Sequence, residues 1–201
     1  MEAASTAENG LRDGRSVRAE RTREAVVDAL LALLDEGEVR PTAERIAARA
    51  GVSERSIFQH FGDREGLLAA TARRQYERIA PTLVRIDTAL PFPERLDAFV
   101  GQRARLLEIT AAVRRGALLI EHESETVASW LASARKAKAA EVDRVFAAEL
   151  QARPEAERGL MRAALVSASE WTAWESYRAH QGLSPQRAAA AMRATMDALL
   201  S

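Results

Sequence analysis

Polar side chains that can donate or accept several hydrogen bonds cluster directly after Gly51. Arginine, serine and glutamine can hydrogen-bond the edges of DNA bases, and arginine can make a paired contact to guanine. Ile57 is expected to face inward and to pin its helix to the preceding one, so the residues around it are expected to face outward. These outward candidates for DNA contact are Glu54, Arg55, Ser56, Gln59 and His60.

Two short helices joined by a tight turn are expected to present that cluster. Ile46, Ala47 and Ala50 share one face of the first helix, and Gly51 ends it because glycine takes a left-handed backbone conformation without a steric clash. Ser53 is suited to cap the second helix, because its hydroxyl can accept a hydrogen bond from a free backbone N–H. This arrangement predicts a helix-turn-helix unit whose second helix enters the major groove of DNA.

Helix N-termini in this region add candidates for contact with DNA phosphates. Thr42 is suited to cap the first helix, and its hydroxyl or backbone N–H can also hold a phosphate; capping alone is the alternative role. Asp63 is suited to cap the helix that follows. Arg64 lies in the first turn of that helix, where it either clamps the DNA backbone or is an exposed surface residue. We count Thr42, Ser53 and Arg64 among the DNA-binding candidates.

The stretch from Arg18 to Leu68 resembles the DNA-binding domain of TetR-family (AcrR-like) transcriptional regulators. The resemblance lies in the pattern T-x-x-x-I-A-x-x-A-G-V-S, which begins at Thr42, and in F-x-x-F-x-x-[KR]-x-x-L-L, which begins at Phe58. It implies that Arg64 contacts a DNA phosphate. Phe58 departs from the family pattern, because it replaces a tyrosine whose hydroxyl commonly touches a phosphate.

The fold class that these patterns predict is all-α, with about nine helices. Residues 1–16 are small and polar and are expected to form a disordered arm, in which Arg12 and Arg15 either reach DNA or are solvated. Residues 17–63 are predicted to form a three-helix DNA-binding domain, 64–81 a linking helix, and 82–201 a ligand-binding and dimerisation domain. The helices predicted in that last domain are Glu94–Ala112, Thr126–Gln151, Glu155–His180 and Pro185–Leu200, with a short apolar segment at Gly116–Glu123.

Composition argues against several classes of protein. The chain has no cysteine, so it forms no disulfide and no thiolate zinc site. It has no run long enough to span a bilayer and no signal-peptide pattern, so a cytoplasmic location is expected. No glycine-rich phosphate loop or triad spacing occurs, so neither an enzyme nor a bound cofactor is expected. Lys+Arg and Asp+Glu number 29 each, so overall charge does not favour nucleic-acid binding.

The resemblance implies a homodimer, because in this family the last two helices pack with their counterparts as a four-helix bundle. Here these helices are Glu155–His180 and Pro185–Leu200, and the small residues of Ala188–Ala191 allow close helix approach. A dimer presents two recognition helices and therefore requires a near-palindromic DNA site. The alternative is that these helices only complete the core of one protomer.

The resemblance also implies a small-molecule effector held between the central helices. Such pockets are mainly apolar with a few polar anchors. The ligand-binding candidates are Phe99, Arg103, Leu106, His122, Trp130, Phe146, Trp171 and Trp174. For each of them the alternative is core packing or a surface position. No metal site is expected at His122 and its neighbouring glutamates, because adjacent residues point to different sides of a helix.

These patterns together predict a sequence-specific DNA-binding transcriptional regulator, a repressor that a small hydrophobic ligand releases from its operator. Its expected partners are double-stranded DNA, a second copy of the chain and the effector. The alternative from another class is an all-helical binding or adaptor protein that has lost specific DNA binding. Phe58, Glu54 and the balanced charge favour that alternative.

Overall fold

The computed structural model describes the backbone of residues 2–201 and the side chains of residues 16–201. The regular elements in this part of the chain are all helical, which confirms the predicted all-α fold. They comprise ten α-helices, where the sequence predicts about nine. The bounds are α1 (Glu2–Asp35), α2 (Ala43–Ala50), α3 (Glu54–Phe61), α4 (Arg64–Ile79), α5 (Phe92–Ile120), α6 (Glu125–Val145), α7 (Ala147–Gln151), α8 (Glu155–Ala168), α9 (Trp171–Glu175) and α10 (Pro185–Leu200).

The first helix begins at Glu2, within the segment that the sequence predicts to be a disordered arm. Extension of an existing helix costs less than starting one, because the first turn has already fixed the backbone. The side chains of Arg12 and Arg15 lie outside the described residues, so their contact with DNA stays a prediction.

The helix α5 runs without a break through Gly116, where the sequence predicts that a short apolar segment begins after a separate helix. A Cβ atom on Gly116 would lie 2.8 Å from Leu34 Cδ2 and 2.9 Å from the carbonyl oxygen of Val39. Gly116 therefore permits close packing between α5 and the end of α1 rather than ending a helix. The spacing of apolar residues along the sequence does not reveal such a contact between distant segments.

Two predicted long helices are each divided in the structure. Phe146 leaves helical geometry with φ −109° and ψ 26°, so α6 ends at Val145 and α7 follows. After α8, the Ser169 hydroxyl donates to the carbonyl oxygen of Leu165 at 2.9 Å, and Glu170 is extended with φ −82° and ψ 165°. Serine side chains compete in this way with the helical backbone pattern. The predicted helix Glu155–His180 is therefore α8, α9 and a π-helical turn.

The chain divides into two compact units that differ from the predicted linear domains. One unit comprises Met1–Tyr76 and Ala112–Trp130, and the other comprises Glu77–Ala111 and Leu131–Ser201. The first unit thus contains the end of α5 and the start of α6 as well as the three predicted DNA-binding helices. Among the described helices, none combines the length and the apolar character needed to cross a membrane.

The core of the first unit is built by the apolar stripe of α1 and the facing sides of α2, α3 and α4. A helix with apolar residues every three or four positions buries one face in this way. The buried residues of this core include Val26, Leu30, Leu33, Ile46, Ile57, Phe61, Leu67 and Val113. Val113 shows that α5 contributes to the same cluster.

The second unit has a separate core with large aromatic and methionine side chains. Phe99 and Phe146 meet edge to face, with ring centroids 5.1 Å apart and planes at 70°. This is a favourable aromatic geometry. Other fully buried members are Leu96, Leu131, Val142, Leu165, Trp174, Met192 and Met196.

Candidate nucleic-acid interface

The turn between α2 and α3 has the geometry that the sequence predicts. The Thr42 hydroxyl accepts a hydrogen bond from the Arg45 N–H at 3.2 Å and caps α2. Gly51 is left-handed with φ 68° and ψ 32°, and the following Val52 N–H donates to the Ala47 carbonyl oxygen at 3.0 Å. That bond satisfies a carbonyl group left over at the helix end. The chain therefore leaves α2 in a fixed direction.

A capping side chain fixes the start of helix α3, and two buried side chains fix its orientation. Ser53 accepts a hydrogen bond from the Ser56 N–H at 3.2 Å and so caps the helix. Ile57 and Phe61 are buried in the core, with 3% and 8% of their surface exposed. These two anchors fix the rotation of α3 about its axis, and the opposite face is left open to a partner.

The exposed face of α3 contains most of the predicted base-contacting residues. Glu54, Arg55 and Gln59 are exposed, whereas Ser56 and His60 are half-buried. The His60 carbonyl oxygen accepts a hydrogen bond from Arg23 Nη1, which fastens the end of α3 to α1. The structure thus brings the predicted α3 candidates together on or beside one surface, although their contact with DNA stays a prediction.

A tight connection joins α3 to α4. Gly62 has φ 79°, and Asp63 caps α4 by accepting the Gly66 N–H at 2.8 Å. A Cβ atom on Gly66 would lie only 2.1 Å from the Phe61 carbonyl oxygen. Gly66 therefore allows the last turn of α3 to lie directly against the first turn of α4.

Arg64 is exposed in the first turn of α4 and belongs to a small charge cluster that the sequence does not predict. Its Nη1 lies 3.5 Å from Glu123 Oε2, and Arg40 binds both carboxylate oxygens of Glu123 at 2.8 and 2.7 Å. The hydrogen bond from Arg40 lowers the pKa of Glu123 from its ordinary value. Ion pairs between exposed side chains are weak, so Glu123 does not hold Arg64 firmly, and the contact of Arg64 with DNA stays a prediction.

Glu65, beside Arg64, completes the N-terminus of α6. Its Oε2 accepts hydrogen bonds from the Ser124 hydroxyl at 2.8 Å and from the Thr126 N–H at 3.2 Å. Ser124 in turn accepts the Val127 N–H at 3.2 Å. The carboxylate thereby satisfies free N–H groups at a helix end that favours negative charge.

Replacing Glu65 with glutamine is expected to lower stability at neutral pH and much less in acid. The hydrogen bonds from Thr126 and Ser124 lower the pKa of Glu65 below its ordinary value of 4.5. A depressed carboxyl pKa contributes stability above the unfolded value, and that contribution is lost as pH falls through the folded value. Thermal melts should show a loss of about 0.5–1 kcal/mol at pH 7 and a smaller loss near pH 3.

The control for this change is Glu94→Gln, which removes an exposed first-turn carboxylate from α5. Its effect should be small at both pH values. An equal loss for Glu65→Gln at pH 7 and pH 3 would contradict the proposed role of the carboxylate charge.

Six of the eight predicted ligand-binding residues lie in the second unit. Phe99, Arg103, Phe146, Trp171 and Trp174 are buried there, and Leu106 is half-buried. Arg103 is 1% exposed, donates from Nη2 to Glu141 Oε2 at 2.9 Å and lies 4.9 Å from the centre of the Phe99 ring. Burial lowers the pKa of Arg103, and the charge of Glu141 opposes that shift. These residues form part of a packed core, and their role toward a ligand stays a prediction.

The other two predicted ligand residues lie in the first unit. The His122 side chain is 76% exposed, and its Nε2 is 3.6 Å from Glu123 Oε1. Trp130 packs against the core formed by α1–α4. The structure therefore does not place them in the same unit as Arg103. Within the described residues, no group of three or more side chains has the arrangement of a metal site.

The fold and the exposed face of α3 define a helix-turn-helix domain of the DNA-binding class. Residues 26–71 match the family model described as "Bacterial regulatory proteins, tetR family". The match confirms the predicted resemblance: residues 26–71 correspond to the DNA-binding domain of TetR-family transcriptional regulators.

A relative of this chain agrees with this assignment. The chain is 31% identical over 120 residues to the HTH-type transcriptional regulator BetI of Rhizobium meliloti (strain 1021). The matched stretch covers 59% of this chain and 53% of that relative. The chain thus matches about half the length of that regulator.

The fold is also similar to a transcriptional regulator from Rhodococcus sp. Rha1, with a TM-score of 0.65, 17% identity, and coverage of 90% of this chain and 95% of that one. A tetR-family transcriptional regulator from Streptomyces coelicolor is similar with a TM-score of 0.65 and 18% identity. That match covers 88% of this chain and 81% of the other. At this level of identity the similarity supports the fold alone.

Proposed function

We propose that the protein is a homodimeric transcriptional repressor that acts in the cytoplasm and binds a near-palindromic operator through α3. The observation that carries the proposal is the pair of opposed faces on α3. Ile57 and Phe61 are buried, whereas Arg55 and Gln59 are exposed on a helix that follows a fixed left-handed turn. Such a face supplies base-edge contacts when the helix enters the major groove.

The proposal is tested by measuring binding to genomic duplex fragments in the presence of excess random DNA. A repressor of this kind should retain a subset of fragments, and its affinity should fall steeply as salt rises, because phosphate contacts release counterions. Binding that is equally weak for all fragments at low salt would instead favour the adaptor protein, which the balanced charge supports.

Arg64→Ala is expected to weaken binding to every DNA sequence by a similar factor. A lost phosphate contact removes about one unit from the slope of log affinity against log salt and leaves sequence preference unchanged. The control is Arg73→Ala, because Arg73 is exposed on the same helix α4. Fluorescence anisotropy at several salt concentrations measures both quantities. A change in sequence preference, or equal slopes for both variants, would contradict the assignment of Arg64.

The proposed dimer forms through α8 and α10. Leu160 in α8 is 76% exposed, more than any other large apolar side chain in the described part of the chain. Small exposed residues accompany it on the two helices, at Ala156, Ala163, Ala190, Ala194 and Ala198. Small side chains permit the close approach of helices. Burial of an exposed leucine against a partner removes apolar surface from water and so stabilises a dimer.

Leu160→Glu is expected to raise the dissociation constant of the dimer by at least about tenfold, because two carboxylates would be desolvated at the interface. Sedimentation velocity over a range of protein concentrations measures the change. The control is Val84→Glu, since Val84 is 64% exposed but lies outside α8 and α10. If both variants dimerise like the wild type, the interface lies elsewhere.

The proposed effector is a small, mainly apolar molecule that binds in the second unit and shifts the protein away from its DNA-binding state. Arg103 supports this part of the proposal, because its Nη1 is buried and has no hydrogen-bond partner in the described structure. Buried donors without partners are rare and costly, so an acceptor oxygen on the effector would be stabilising. Thermal-shift screening of metabolites, repeated with Arg103→Met, tests whether a stabilising compound needs the guanidinium.

A further inference from the structure

We infer that Phe58 is a specificity-determining residue that recognises a thymine in the operator through the C5-methyl group of the base. The inference rests on the proposed function, since it requires α3 to lie in the major groove. It extends that function, because the polar residues of α3 account for hydrogen bonds to base edges and leave the role of this aromatic ring unassigned.

The position of Phe58 on α3 follows from its neighbours. Ile57 and Phe61 are buried and set the rotation of the helix, and Phe58 is 49% exposed beside them. Glu54 lies one turn earlier on the same side of the helix and is also exposed. Within α3, Phe58 is the one large apolar side chain that is exposed. An apolar ring therefore lies on the same surface as the polar DNA-binding candidates.

The chemistry of the ring limits what it can contact. Phenylalanine has no hydrogen-bonding group, so it cannot donate to a phosphate as a tyrosine does. Base edges in the major groove present hydrogen-bond donors and acceptors, and thymine adds an apolar methyl group that phenylalanine can contact. Transfer of a methyl group from water to an apolar contact changes an equilibrium constant by about fourfold. Phe58 therefore favours a thymine over a cytosine or a uracil at the position that it covers.

The experiment uses the full-length protein and the duplex that it selects from a random library. Each thymine of that duplex is replaced in turn by uracil, which lacks only the methyl group, and the dissociation constant is measured for wild type, Phe58→Ala and Phe58→Tyr. The affinity of the wild-type protein should fall about threefold to fivefold when uracil replaces one particular thymine in each half-site. Phe58→Ala should bind the thymine and uracil duplexes equally, whereas Phe58→Tyr, which keeps the ring, should retain the difference. Because Phe58 is half exposed, circular dichroism melts should show that both variants fold.

The possible failures of this experiment are distinguishable. If wild type selects a sequence but uracil has no effect at any position, the inference is wrong and the proposed function stands. The same holds if the uracil effect persists in Phe58→Ala, or if this variant loses affinity equally on all sequences, as a ring packed on the sugar–phosphate backbone would. If no sequence is selected, both the inference and the proposed function fall.

Discussion

Gly66→Ala is expected to destabilise the first unit and to abolish tight DNA binding. Alanine in a helix usually stabilises it relative to glycine. Here the added Cβ would lie 2.1 Å from the Phe61 carbonyl oxygen and 3.2 Å from its carbon, and both are backbone atoms at the end of α3. No side-chain rotation relieves that clash, so α3 and α4 must move apart. Overpacking of this severity costs about 1–3 kcal/mol or more.

The consequence for DNA binding is expected to exceed the consequence for stability, because the displaced segment is the end of α3. Thermal melts and binding to the preferred duplex measure the two effects separately. Gly101→Ala is the matched control: Gly101 lies inside α5, and its Cβ would meet only Arg105 Nη1 at an ordinary 3.6 Å. That variant should be neutral or up to about 1 kcal/mol more stable. If Gly66→Ala behaves like Gly101→Ala, the α3–α4 connection is not as described.

Arg55→Ala is expected to remove the preference for one base pair in each half-site. Arg55 is exposed on α3, whose rotation is fixed by the burial of Ile57. A paired arginine–guanine contact contributes about 1–3 kcal/mol of discrimination, which corresponds to about 5-fold to 150-fold in relative affinity. Binding-energy profiles over all single base-pair changes of the operator measure this directly, and only one position per half-site should become permissive.

Arg55→Lys separates base recognition from charge. Lysine keeps the positive charge but lacks the planar fork of arginine, so discrimination should fall while the salt dependence is retained. Arg105→Ala removes a charge from an exposed position on α5 and should leave the profile unchanged. An unaltered profile for both Arg55 variants would show that Arg55 does not contact a base.

The helix-turn-helix unit was predictable because its signals are local. Thr42, Gly51 and Ser53 act within one or two turns of their own position, through caps and a left-handed turn that a short stretch of sequence specifies. The buried face of α3 was also predictable, because the apolar Ile57 can pack into the core from one face of the helix only. These local rules gave the orientation of most residues proposed to contact DNA.

The features that the sequence did not predict depend on contacts between distant segments. Arg40 and Glu123 are 83 residues apart and meet beside Arg64, and Gly116 packs against Leu34. Nothing in the residue types near Glu123 distinguishes this pairing from an exposed acidic turn. The same reason accounts for the unforeseen membership of Ala112–Trp130 in the first unit.

The ligand-binding residues were hard to predict for a different physical reason. Aromatic residues at helical spacing have the same pattern whether they line a pocket or fill a core. Trp130 packs with the DNA-binding helices, whereas Phe99 and Phe146 pack with each other in the second unit. Only their three-dimensional neighbours separate these roles.

The most direct test of a paired DNA-reading surface on α3 is selection of bound duplexes from a fully random library by the wild-type protein. Two copies of α3 related by a twofold axis should enrich a near-palindromic sequence whose half-site centres are separated by about 10 base pairs or a multiple of that spacing. Enrichment of an isolated half-site, or no enrichment over the starting library, would contradict this account.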